Sequence, residues 1–183
     1  IGTVFQDFQL YALPLAENVL CDEAEEKDTE RILAALKCAT FQDKLAQLPD
    51  GIHTEITKEF YETGTNLSGG EAQKVAIARV FVRPYEIILM DEPSSALDPM
   101  AEHELNRQIQ AFSQNNTVVF ISHRLSTTRY ADRIYMFEEG RIIEQGSHEE
   151  LMQKNGKYAE MFRIQGQKYM GKQGDIPQKV LQG

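Results

Sequence analysis

Tryptophan is absent from the 183 residues, and cysteine occurs only twice, as Cys21 and Cys38. Two thiols in those positions fit no metal-ligand spacing and cannot build the several-bridge framework of a small secreted protein, so they suit a reduced, cytosolic setting. Long hydrophobic runs are missing too: no window approaches the roughly 18 consecutive apolar residues of a membrane span. Positive charge is scarce, with 19 Lys and Arg against 28 Asp and Glu and a net charge of −9. That balance lacks the basic footprint of a phosphate-backbone binder and argues against nucleic acid as a partner. The opening residues, Ile1 to Phe5, are neither a basic leader nor an apolar signal core. They read as a strand with no initiating Met ahead of it, so the expectation is that the front of a larger protein is missing.

What is present suits one folded domain: 42% apolar residues can fill a core at this length. Thr3-Val4-Phe5 reads as a strand running out into Gln6-Asp7. From Pro14 to about Leu48 the spacing of Ile32, Leu33, Leu36, Leu45 and Leu48 predicts a small helical lobe. Pro49-Asp50-Gly51 marks a turn, and the polar stretch from Ile52 to Asn66 reads as loop. Ser68 and Glu71 have the spacing of a capping box, predicting a helix from Gly69 to about Val82, which Pro84 ends. Glu86 to Met90 and Thr117 to Ile121 are continuous apolar runs of the kind found in parallel strands buried on both faces. Between them Met100 to Phe112 reads as helix; beyond them Arg133 to Phe137 and Arg141 to Glu144 read as a hairpin. Ser147 and Glu150 repeat the capping box ahead of a helix, and a second helix spans Lys157 to Met170. Buried strands alternating with helices make an α/β domain with a mainly parallel sheet.

Two segments carry chemistry. Ile87 to Glu92 is an apolar strand that ends in adjacent carboxylates, at the sheet end where α/β ligands bind. The pattern is that of a Walker B strand, whose Asp holds nucleotide-bound Mg²⁺, with Glu92 next in line to orient or deprotonate water. A plain strand ending in solvated acids has the same pattern. In Leu67-Ser68-Gly69-Gly70-Glu71 two glycines open a helix, stripping side chains from its positive end and exposing backbone N–H groups to an anion. An ordinary capped helix with a glycine-rich entrance has the same sequence.

Taken in order, the segments resemble the ATP-binding cassette (ABC) ATPases. Phe5-Gln6-Asp7 is similar to the Q-loop, Leu67 to Glu71 to the signature motif, and Ile87 to Glu92 to Walker B. Ser95-Ala96-Leu97-Asp98 is similar to the D-loop, and Ile121-Ser122-His123-Arg124 to the switch-histidine segment. The likeness covers residues 1–167. It implies a P-loop NTPase-like, mainly parallel sheet with a helical signature-motif subdomain. Residues 7–82 would hold that subdomain and the signature helix, 83–167 the Walker B, D-loop, switch and C-terminal parts, and 168–183 a flexible tail.

The resemblance also implies roles. Gln6 would touch Mg²⁺ or the attacking water, Asp91 would hold Mg²⁺, Glu92 would be the catalytic base, and His123 would contact the γ-phosphate. Ser68, Gly69 and Gly70 would bind the γ-phosphate of an ATP held by a second ATPase domain in a head-to-tail dimer, with Asp98 at that interface. The other histidines, Lys74 and Arg79 read as surface or packing groups. Glu71 stands where the family more often has Gln, and the capping box explains why Glu is tolerated. No G-x-x-x-x-G-K-[ST] loop occurs. Because the family places that loop ahead of the Q-loop, the expectation is truncation before Gln6 and little activity from these residues alone.

Two classes share the motifs. A DNA-repair or chromosome-associated ATPase would interrupt the cassette between Gln6 and Leu67 with long coiled coils, and no sustained heptads occur there. His123 to Thr127, Gln145 to Leu151 and Tyr158 to Phe162 instead resemble exporters, whose transmembrane domain shares the chain. The resemblance then implies ATP hydrolysis coupled to transport at the cytoplasmic face of a membrane.

Overall fold

Short β-branched and apolar segments pair as strands, and amphipathic segments between them pack as helices, three of which have a side-chain cap at the N-terminus. The computed structural model describes residues 1–60 and 62–170, residues 167–170 by backbone alone. They divide into two compact units, Ile1–Ile121 and the unit that begins at Ser122. Most of the expected tail, from residue 171 on, lies outside the described residues.

In the first unit, β1 (Gly2–Val4), β2 (Ile87–Asp91) and β3 (Thr117–Ile121) form a parallel sheet in that order. Val4 pairs with Met90, and Asp91 with Ile121. Between β1 and β2 lie α1 (Leu15–Leu20), α2 (Thr29–Cys38), α3 (Gln42–Leu45) and α4 (Gly69–Phe81), and α5 (Pro99–Phe112) connects β2 to β3. The core joins Val4, Ile88 and Met90 of the sheet to Leu15, Val19, Ile32, Leu36, Ile77 and Leu105 of the helices. Among the described residues the two apolar runs are covered more on one face than on the other. Ile88 and Met90 are sealed, but Ile87 and Leu89 are 38% and 40% exposed, and Val119 and Ile121 are exposed as well. A continuous apolar run hides the period of 2 that decides which side meets a helix layer, and among the described residues that layer covers the Ile88 and Met90 side.

The stretch after Gly51 is pinned rather than free. Gly51–His53 forms one 3₁₀ turn, Glu55 bridges to Pro14 and Ile56 to Thr65, and Thr54 and Ile56 are buried. Arg79, on α4, donates to the carbonyls of Asn18 and Gln9 and so ties the segment after Gln6 to the helix, a packing role as expected.

In the second unit, α6 (Leu125–Thr128) leads to the antiparallel pair β4 (Ile134–Glu138) and β5 (Arg141–Gly146), then α7 (His148–Lys154) and α8 (Lys157–Met170). Glu139 and Gly140 both have positive φ (48° and 74°), the backbone that a tight two-residue hairpin needs. Leu125, Ile134, Leu151 and Tyr158 form the core, and the Tyr158 hydroxyl meets Thr128 Oγ1 and His148 Nδ1, each at 2.9 Å. Burial pushes the Tyr158 phenol above its usual range, against the Thr128 contact.

Candidate functional site

The helix start at Ser68 is a complete capping box. Ser68 Oγ accepts from Glu71 N–H at 3.3 Å, and Glu71 Oε2 accepts from Ser68 N–H at 2.7 Å. Lys44 Nζ adds an ion pair to Glu71 Oε1 at 3.1 Å. Partial burial pushes the Glu71 carboxyl up, but the Ser68 N–H and Lys44 outweigh it and leave the group below its ordinary range. No described protein group takes the N–H of Gly69 or Gly70, the orphan donors of a first helical turn that an anion can fill. Gly70 has a second reason to be glycine: a Cβ there would lie 2.9 Å from the carbonyl oxygen of Ala96, whereas at Gly69 the nearest contact is an ordinary 3.9 Å.

The carboxylates sit where the parallel strands end. Asp91 is the last residue of β2, and Glu92 follows in the left-handed region at φ 50°. A non-glycine residue there is held against a cost of about 1–2 kcal/mol. The restraint is visible: Glu92 N–H donates to Ile121 O at 3.0 Å, and Glu92 O accepts from Ser95 N–H at 3.1 Å and Gln73 Nε2 at 3.0 Å. Because Val4 pairs with Met90 in parallel register, Gln6 leaves β1 at the same end of the sheet as Asp91 and Glu92. Asp98 caps α5, its Oδ1 accepting from Met100 N–H at 2.9 Å and Ala101 N–H at 3.0 Å, with Pro99 in the first turn. The Ala101 N–H, helped by that of Met100, draws the Asp98 carboxyl below its ordinary range.

His123 belongs to the second unit, and Gln165 brackets its segment. Gln165 Nε2 donates to His123 O at 2.8 Å, and Leu125 N–H donates to Gln165 Oε1 at 2.9 Å. Gln73, Gln165 and Lys44 are absent from the sequence-derived set. A signal existed for Gln73, which lies on the apolar stripe of its helix with Ala76, Ile77 and Val80. A polar residue on such a stripe is buried and needs partners.

The donor set suits a nucleotide-bound Mg²⁺. No described group of three or more His, Cys, Asp or Glu could cage a metal alone. Mg²⁺ prefers one or two carboxylates completed by water and phosphate oxygens, and the Asp91 carboxylate with the Gln6 amide oxygen offers hard oxygen donors of that kind.

Comparison with known proteins agrees with the motif order. Residues 1–95 match the family described as ABC transporter. The ABC multidrug transporter MDR2 of Trichophyton equinum is 38% identical over 166 residues, 90% of this chain and 12% of that protein. The ATP-dependent lipid A-core flippase of Burkholderia pseudomallei is 39% identical over 171 residues, 93% of this chain and 28% of that protein. The solved structure of a bacterial Atm1-family ABC exporter with ATP bound is similar at a TM-score of 0.78 and 38% identity, over 90% of this chain and 28% of the other. The chain thus spans between 12% and 28% of the length of these relatives.

Proposed function

Because the chain belongs to the ABC transporter family, we propose that it supplies part of the ATPase engine of an exporter, in which ATP-driven closure of two cassettes is coupled to a transmembrane domain. The engine would work at the cytoplasmic face of the membrane. Asp91 and Gln6 would hold Mg²⁺, which when bound neutralises charge on the phosphate oxygens. Glu92 would take the proton of the attacking water as general base, and His123 would contact the γ-phosphate. Ser68, Gly69 and Gly70 would present a hydroxyl and free N–H groups to the γ-phosphate of the ATP on the partner cassette, with Asp98 shaping the same head-to-tail interface. The phosphate loop of the chain's own site is not encoded in these residues, so they contribute the base, metal and signature elements rather than the cradle.

The observation that carries this reading is the fixed Glu92, restrained through both its N–H and its carbonyl at the strand end beside Asp91. Exporter names among the relatives favour transport over the chromosome-associated alternative. In a complete cassette Glu92→Gln should leave ATP binding intact and slow hydrolysis by roughly 10² or more, the scale of a lost general base. Wild-type turnover in that variant would return Glu92 to a structural role.

A further inference from the structure

Gln73 is buried, one helical turn after Gly70, and both of its amide donors and one of the two acceptor directions of its oxygen are used. Nε2 donates to Glu92 O and to Ser95 Oγ, each at 3.0 Å, and Oε1 accepts from Ala96 N–H at 2.9 Å. An amide in an apolar stripe is costly unless paired in this way, and an apolar side chain of the same length would pack there without the cost. The bonds span the segment that leaves β2: the carbonyl of the strained Glu92, then the hydroxyl and the N–H that follow it. One turn earlier Gly70 lets the helix backbone close on Ala96 O, a contact that a Cβ would block at 2.9 Å. Positions 70 and 73 therefore grip one turn of chain from one face of α4. The helix start cannot shift without moving the turn that fixes the Glu92 backbone.

We propose that Gln73 is a positioning residue that latches the Ser68–Gly70 helix start to Glu92, so that engagement of an anion at the helix start sets the orientation of the carboxylate. The latch rests on the roles proposed above: Ser68 would serve the nucleotide of the partner cassette and Glu92 the nucleotide of its own. Gln73 would thus connect two different ATP sites through one subunit. A residue that served only packing would have no need of the two donated bonds.

The test uses the complete dimeric protein carrying Gln73→Met, which keeps length and apolar packing, and Gln73→Glu, which keeps an acceptor for Ala96 N–H but turns an oxygen toward Glu92 O. Both should lower kcat by about 10- to 100-fold, the range of a misplaced reacting group, with KM for ATP changed less than about twofold. Cooperativity in ATP should fall toward a Hill coefficient of about 1, since the link between sites is cut. In the Glu92→Gln background Gln73→Met should lower turnover no further, as expected of residues acting as one unit. Wild-type kcat in Gln73→Met, or an equal loss in both backgrounds, would overturn the latch. Normal turnover of Glu92→Gln alone would remove the base assignment instead. The latch would then stand or fall on amide exchange at Ala96, which Gln73→Met should accelerate at least about tenfold by freeing that N–H; an unchanged rate would overturn it.

Discussion

Lys44 holds one oxygen of the Glu71 carboxylate at 3.1 Å while the Ser68 N–H holds the other at 2.7 Å. A Gln at position 71 could accept from Ser68 through its one oxygen but would turn its amide nitrogen toward the ammonium. Glu71 is thus held from two sides, by the capping box at Ser68 and by Lys44 of α3.

Glu71→Gln should cost about 0.5 kcal/mol at neutral pH, a small figure because the pair is partly exposed and screened by solvent. The sign with pH follows from a carboxyl held below its ordinary value of 4.5 in the folded state. The stability it contributes is complete above that value and is lost as pH falls through the folded-state value. Thermal unfolding at pH 7 and pH 3 should show the gap between wild type and variant narrowing in acid; a gap that widened would contradict the pairing.

The two signature glycines should separate on stability. Gly70→Ala puts a Cβ against the Ala96 carbonyl, and overpacking against backbone should cost roughly 1–3 kcal/mol, more than the gain in helix propensity. Gly69→Ala meets only ordinary contacts and should unfold at or slightly above the wild-type temperature. Equal losses from both would mean that the helix start is not seated on Ala96 in solution.

Glu92→Gly and Glu92→Ala both remove the carboxylate and should both be inactive. Only glycine relieves the left-handed backbone, a gain partly offset by its freedom in the unfolded chain. The Gly variant should therefore be the more stable of the two by roughly 0.5–1 kcal/mol in denaturant unfolding. An Ala variant as stable as Gly would show that φ at this position is not strained.

Local rules made much of this legible. Capping boxes at Ser68 and Ser147 fixed two helix starts, Pro84 marked a helix end, and the Glu139-Gly140 pair marked the hairpin. That Gln6, Asp91 and Glu92 lie at one end of the sheet follows from strand polarity, which the sequence carries. Three kinds of information stayed hidden. Facial burial of β2 and β3 depends on which helices pack where, and a run of apolar residues carries no such label. The left-handed φ of Glu92 arises from long-range restraints by Ile121 and Gln73. The capping role of Asp98 is no part of the motif resemblance, and its one local signal is Pro99 beside it at the helix start.

Ser68→Arg separates the two sites that a head-to-tail dimer would share. The capping box uses Ser68 Oγ as an acceptor, which leaves its hydrogen and the Gly69 and Gly70 N–H groups to face an incoming phosphate. An arginine at this helix start removes the hydroxyl and sets a long side chain in the path of approach. A charged side chain attracts phosphate, but the proposed sandwich would need backbone contact at the glycines, and the added bulk would hold the anion beyond hydrogen-bond reach. In the complete protein the variant should still bind ATP at its own phosphate loop, should fail to dimerise on sizing in ATP, and should lose turnover by about 10² or more. Mixed with a partner whose phosphate-loop lysine is replaced, it should regain part of the activity, because one site of the heterodimer then has an intact loop from one subunit and an intact signature from the other. Turnover that stays absent in the mixture would argue against sharing between subunits. Normal dimerisation and turnover of Ser68→Arg by itself would remove Ser68 from the nucleotide site altogether.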